Sequence, residues 1–306
     1  MRMQRNLRLL GALLALALFV AACGDDDAET TAGDDPATEE AAGDGGTIEI
    51  GMIPWDEDIA VTHLWTHILE EQGYTVETTQ LDAAPTFQGL AAGDLDVFLD
   101  AWLPSTHEDY WDEYGDELED LGTWYDQGTL NLAVPSYVDV DTIGDLAGQA
   151  EMFDGQIIGI EPGAGLTRVT REEAMPGYGL EGYTLVEGST PAMLAELERA
   201  LDNEEPVVVT LWHPHWAYAA YDIKDLEDPD GLMGGAEELH AVARSGFSEE
   251  FPEVAEWFGS FELTDDQLAS LEDLMFNTYD SGQEAEAVDE WLQDEANADV
   301  VESWIS

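Results

Sequence analysis

The sequence predicts an α/β protein of two lobes, each a central sheet flanked by helices, with a ligand held in the cleft between them. Three observations lead there. First, Pro206–Tyr218 (PVVVTLWHPHWAY) starts as a β-branched run and turns aromatic and polar at Trp212 and Pro214. β-Branched side chains suit a covered strand, and proline removes a ladder donor, so a strand should end there. Second, Leu95–Trp111 (LDVFLDAWLPSTHEDYW) repeats the pattern, with Trp102, Pro104 and His107 after the apolar run; Trp102 and Trp212 stand 110 residues apart. Third, residues 47–82 and 156–188 each read strand, turn, helix, strand, turning at Trp55 and at Pro162–Gly165. Two such units make two lobes. The ends of strands in open α/β sheets are where ligands bind.

In chain order, Arg2, Arg5 and Arg8 precede the apolar run Leu9–Val20, too short for a good membrane span, and Ala21-Ala22-Cys23-Gly24 follows. Residues 1–22 read as an export signal. Its end resembles a bacterial lipobox, cut before Cys23, whose thiol would carry a lipid. Cys23 is the only cysteine, so no intrachain disulfide is expected. Residues 23–46 are acidic and rich in Ala, Thr and Gly, and read as a flexible tether. The expected location is the extracytoplasmic face of the cell membrane, lipid-anchored.

The chain carries 69 Asp and Glu against 8 Lys and Arg, a formal net charge of −61. Beyond the signal the only strong cations are Arg168, Arg171, Arg199, Arg244 and Lys224. Such a field argues against nucleic acid and against phosphate-like ligands, and it calls for salt screening. The balance resembles that of a halophile's exported protein.

Lobe one should take residues 47–135 and 236–306, and lobe two residues 136–235. Thr47–Trp55 reads as the first strand. Asp56-Glu57-Asp58 opens a helix running over Ile59–Gln72, with Ile59, Leu64, Ile68 and Leu69 for its buried face and Gly73 as its cap. Tyr74–Leu81 is a strand, Pro85–Ala92 a short helix, and Leu95–Leu99 a strand that Trp102 ends. Thr129–Tyr137 reads as a strand crossing between lobes, a hinge. In lobe two follow a short helix at Thr142–Ala147, a strand at Ile157–Ile160 and a helix at Leu166–Ala174. The next helix carries a stripe of Leu194, Leu197 and Leu201 behind Thr190-Pro191. Asp222–Gly235 is turn-rich and leads back. Three amphipathic helices, Pro252–Ser260, Thr264–Tyr279 and Ala285–Ser303, finish lobe one, the second opening with a capping box at Thr264.

Metal ligation has thin support. His63 and His67 stand at i and i+4 without the glutamate of a metalloprotease motif, and His213 and His215 flank a proline. Pro162–Gly165 lacks the lysine and hydroxyl of a phosphate loop, and Arg168 and Arg171 have Glu172 and Glu173 as nearby partners.

Four motifs in order are more specific than any one of them: Trp55-Asp56-Glu57-Asp58-Ile59-Ala60, Asp100-Ala101-Trp102-Leu103-Pro104-Ser105-Thr106-His107, Ile160-Glu161-Pro162-Gly163-Ala164-Gly165 and Thr210-Leu211-Trp212-His213-Pro214-His215-Trp216. Together they resemble the glycine betaine-binding proteins of ABC importers. The resemblance implies a type II periplasmic-binding-protein fold that captures a quaternary ammonium solute for osmoprotective uptake and delivers it to a membrane permease. It implies a tryptophan cage, here Trp55, Trp102 and Trp212 by motif position, with Trp216 as a packing partner. A quaternary ammonium donates no ordinary hydrogen bond, so aromatic faces hold it best. A betaine carboxylate needs donors: His215 first, then the backbone N–H groups of Asp56 and Glu57. No catalytic group, cofactor or metal is expected. The alternatives are the same scaffold binding choline, carnitine or proline betaine, and an exported metal-dependent hydrolase using His213, His215 and nearby acids.

Overall fold

The structure, a computed structural model, describes residues 45–306; residues 1–22, expected as an export signal, Cys23 and most of the expected tether lie outside them. β1 (Thr47–Met52) is followed by Trp55, which is the extended N-cap of α1 (Asp56–Glu71). Asp56, Glu57 and Asp58 do open the helix, where its dipole favours carboxylates. Gly73, at φ +89°, closes it. β2 (Thr75–Gln80), α2 (Ala83–Ala92), β3 (Val97–Leu103) and α3 (Glu108–Tyr114) follow. All seven residues of β3 are buried. The strand runs through Trp102 to Leu103, so Pro104, without a ladder donor, ends it, and not the tryptophan.

β4 (Leu118–Pro135) is far longer than the strand expected at 129–137. β5 (Gln156–Ile158), α4 (Gly165–Val169), β6 (Thr184–Val186), β7 (Val209–His213), β8 (Ile223–Asp225) and β9 (Glu237–Arg244) complete the set. The sheet order is β2-β1-β3-β9-β4-β7-β5-β6, with β8 beside β4. β9, which pattern reading passed over, runs antiparallel to both β3 (Val97 opposite Ala243) and β4 (Glu119 opposite Ala243). β4 serves two partners in turn. Its first part pairs with β9 from Leu118 to Gly128, and its last part pairs with β7, Thr129 opposite His213. The sheet thus has a first half before that change of partner and a second half after it. β1 lies parallel between β2 and β3, as β5 lies parallel between β6 and β7.

The helices differ in detail from the expectation. α4 continues as a π-helical turn over Thr170–Ala174. The helix Thr190–Asp202 is capped by Ser189, not Thr190, and buries Met193, Leu197 and Ala200; Leu194 and Leu201 flank that face. Thr264 makes its capping box with Gln267. The last segment is two helices, Glu284–Trp291 and Glu295–Trp304, because Asp294 caps a second start by accepting the Ala296 N–H at 2.9 Å. These helices lie on α1, whose Trp65 meets Phe258, Phe261 and Trp304 at ring-centroid distances of 4.5, 5.4 and 5.9 Å.

Candidate functional site

Trp55 caps α1, Trp102 lies near the end of β3 and Trp212 near the end of β7, and the three rings meet between the halves of the sheet. Trp55 stands 6.3 Å from Trp102 at 84° and 6.0 Å from Trp212 at 44°. With Leu130, Ile160 and Leu166 they line an apolar cavity of about 10 Å³. That is room for about one water. Gly128 is what lets Trp102 lie there: a Cβ at 128 would stand 2.8 Å from its ring.

His215, Asp56 and Glu57 lie outside the cavity lining. The His215 ring is fully buried, edge-on to Trp212 with centroids 4.7 Å apart. Its Nδ1 accepts the Ala217 N–H at 3.1 Å, so the proton sits on Nε2. Nε2 has no hydrogen-bond partner; the nearest carboxylate, Asp56, is 3.6 Å away. Burial, with His213 adding to it, pulls the His215 pKa down to about 3. His215 is therefore a neutral donor with one N–H free. The Asp56 and Glu57 N–H groups, in the first turn of α1, have no carbonyl partner within the helix. Trp216 faces elsewhere, against Tyr221 and Phe276, and donates its N–H to Asp56 at 2.5 Å.

A family model described as the substrate-binding domain of ABC-type glycine betaine transport systems matches residues 46–294. The chain belongs to that family. The glycine betaine/carnitine transport binding protein GbuC of Listeria monocytogenes is 32% identical over 156 residues, half of this chain and about half of that relative's length. Lactococcal OpuAC, solved closed with glycine betaine, is 32% identical with a TM-score of 0.79, covering 85% of this chain and 100% of that one. An ABC-transporter choline-binding protein solved with choline is 25% identical with a TM-score of 0.76, covering 85% of this chain and 92% of that one. The two-lobed type II periplasmic-binding-protein fold expected from the sequence is the fold of this chain. Its family is one of solute-binding proteins, which removes the hydrolase alternative.

What pattern reading missed in this binding protein is a shell of acids behind the rings. Trp55 donates its N–H to Glu161, Trp102 to Asp100 at 3.0 Å, and Trp212 to Glu57 at 2.9 Å. Asp56, Glu57, Asp58, Asp100 and Glu272 are all buried. Burial raises every one of them: Asp56 to about 6 against the pull of Trp216, and Asp58 to about 8 against hydrogen bonds from the Ile53 N–H and Thr62. Glu57 and Asp100 rise well above the usual carboxylate range, first by desolvation and then by their acidic neighbours. Burial likewise raises Glu161, while the Trp55 N–H lowers it. Glu237, from the unforeseen β9, accepts the N–H groups of Ser105 and Thr106 at 2.9 and 2.7 Å and the Thr106 hydroxyl at 2.6 Å, fixing the loop after Trp102.

His107 is a second neutral histidine. It stacks on Trp55 at 5.4 Å and 9°, and its Nδ1 accepts the backbone N–H of Trp102 at 3.0 Å. Burial and then Arg168 pull it down to about 3. Its sequence signal was its place after Trp102 and Pro104. Asp100 and Glu161 stood inside the quoted motifs, but an acid beside an apolar run says nothing of its burial. Contacts between the halves continue at the rim: Arg168 donates to the Ser105 carbonyl at 2.7 Å and faces Asp109 at 3.5 Å, and Tyr110 donates to the Gly163 carbonyl at 3.0 Å. Arg171 pairs with Glu187 and Glu172 at 2.5 and 3.5 Å. His213 turns to Asp225 at 2.8 Å and His67 to Asp289 at 3.5 Å. Among the described residues no group of three His, Cys, Asp or Glu is arranged to hold a metal ion.

Proposed function

We propose that the protein captures glycine betaine for an ABC importer, with the trimethylammonium group caged by Trp55, Trp102 and Trp212. The observation that carries this is the convergence of three indoles, drawn from both halves of the sheet, with rings 6.3 and 6.0 Å apart. Each desolvated aromatic face is worth about 0.5–2 kcal/mol to such a cation. The buried carboxyls behind the rings add negative field, and their raised pKa values moderate it. The solute's carboxylate takes the free N–H of His215 and the N–H groups of Asp56 and Glu57 at the start of α1. A zwitterion needs no full countercharge, which suits a chain with so few cations.

A cavity of about 10 Å³ leaves too little room for the headgroup, so the halves must part to admit it. The lobes are residues 47–135 with 236–306, and residues 136–235, hinged where β4 changes partners. Closure assembles the cage around the solute. The closed form docks on a membrane permease outside the cytoplasm, held nearby by a lipid on Cys23, and gives up its solute when transport opens it.

Calorimetric titration in high salt with glycine betaine, choline, proline betaine and carnitine tests this. Binding of glycine betaine well above choline is expected. Choline as the stronger ligand would keep the cage and remove the carboxylate assignment. No heat with any of the four, from folded protein, would sink the reading. The choline alternative has one observation in its favour: the acids behind the cage suit a net cation as well as a zwitterion.

A further inference from the structure

The three cage indoles are held by acids in two different ways. Trp102 donates to Asp100, two residues away on its own strand. Trp55 donates to Glu161, which follows β5 in the other half of the sheet, 106 residues away. Trp212 donates to Glu57, in the first turn of α1, 155 residues away. The second oxygen of each cross-half acid, Glu161 Oε2 and Glu57 Oε1, is buried and has no hydrogen-bond partner. An indole has a single N–H, and an acceptor placed on it sets where the ring plane turns. A cation–π contact depends on that plane.

We propose that Glu161 and Glu57 are positioning residues of the cage, each locking the indole of a tryptophan from the opposite half, so that Trp55 and Trp212, restrained within their own halves by the rings of His107 and His215, reach their final planes when the halves meet, while Trp102 is set beforehand by Asp100. The proposal rests on reading these tryptophans as the solute cage. It separates a preformed wall from two walls completed by closure, and it couples closure to the shape of the site.

A double-mutant cycle on the dissociation constants of glycine betaine and choline tests it in the purified full chain. Glu161→Gln keeps an acceptor for the indole and is expected to stay within about threefold of wild type. Glu161→Leu removes the acceptor and is expected to weaken both ligands about tenfold, the scale of a lost hydrogen bond to a charged group. In a Trp55→Phe background, which has no N–H to donate, Glu161→Leu should add no further loss. Equal losses from Gln and Leu at position 161, or an undiminished loss from Leu in the Trp55→Phe background, overturn the proposal. Exchange of the indole N–H protons, followed by NMR, keeps it testable even where a variant binds poorly. Trp102 should be protected with or without ligand, and Trp55 and Trp212 only with it. Equal protection of all three in the ligand-free protein overturns the dependence on closure. A wild type that binds none of the quaternary ammonium compounds overturns the cage reading instead, and the Trp55 exchange rate in Glu161→Leu against Glu161→Gln then decides the bond alone.

Discussion

In the first half of the sheet three parallel strands run β2-β1-β3 and the third carries Trp102; in the second they run β6-β5-β7 and the third carries Trp212. Each tryptophan is followed by a proline after a cis peptide, Leu103–Pro104 and His213–Pro214, and then by a buried neutral histidine with its Nε2 unpartnered. The plan is shared, but the halves are not equal. The first half supplies a 16-residue helix, α1, opening on three buried acids; the second supplies α4, of five residues, opening on Gly165. The first half brings most of the buried acids, and the second brings Glu161 and a backbone slim enough to reach across.

Gly165 offers the sharpest break in that arrangement. A Cβ at 165 would stand 2.1 Å from the Thr106 carbonyl oxygen across the cleft, a backbone atom that cannot turn away. Gly165→Ala should hold the halves apart and weaken glycine betaine by about a hundredfold, the upper end of an overpacking cost of about 1–3 kcal/mol. The folded protein should keep its thermal stability, because the added methyl can be relieved by opening. Unchanged affinity would mean that the ligand-bound form is more open than this structure.

Next come two of the converging indoles. Trp102→Ala and Trp212→Ala should each weaken glycine betaine more than about tenfold, since each removes a desolvated face. Comparable losses on both sides would fit a cage shared between halves. An unchanged dissociation constant for either variant, with its fold intact by circular dichroism, would remove that ring from the site.

The place of Trp102 and Trp212 near strand ends was readable from sequence because each large aromatic follows an apolar run and precedes a proline. The pseudo-repeat was readable for the same reason: β3 and β7 are short apolar runs with local stops. β9 was not. Its residues EELHAVAR follow a turn-rich stretch and begin with two acids, and both its partners lie more than a hundred positions away. The first part of β4, LEDLGTWYDQG, reads as a polar loop because many of its side chains are exposed or half-exposed. The acid shell was the largest gap. Asp100 and Glu161 look like solvated charges until the fold buries them, and no local pattern records that burial.

The two histidines sharpen the comparison further. Both are neutral, yet His107 is stacked against Trp55 while His215 stands edge-on to Trp212 beside the open end of α1. His215→Ala should weaken glycine betaine about tenfold, as loss of a donor to a charged group does, and leave choline nearly untouched. His107→Ala, which removes the ring stacked on Trp55, should weaken both ligands alike. Equal effects of His215→Ala on the two ligands would remove it from the carboxylate site.

The smallest expected effect concerns the three buried acids on which α1 opens. Asp58 is raised from 3.8 to about 8 by burial, so between those values the folded protein holds a proton that the unfolded chain has released. Its contribution to stability is complete below about pH 4 and is lost as pH rises toward 8, with a slope of at most about 1.4 kcal/mol per pH unit. Asp56, raised to about 6, acts in the same direction over the lower part of that window. His107 and His215 act in the opposite direction: lowered from 6.5 to about 3, they are charged in the unfolded chain and neutral when folded, so they favour folding increasingly as pH rises to 6.5. Above 6.5 the histidines are neutral in both states and the acids stand alone. Thermal unfolding in high salt, which screens the general acidity of the surface, should therefore show wild type losing stability from about pH 6.5 to 8. Asp58→Asn keeps an acceptor for the Ile53 N–H, at 2.6 Å in the wild type, and should make that loss shallower, the part left being that of Glu57, Asp100 and Glu272. Parallel slopes for the two proteins would mean that Asp58 is already ionised in the folded state and that the proton belongs to another member of the cluster.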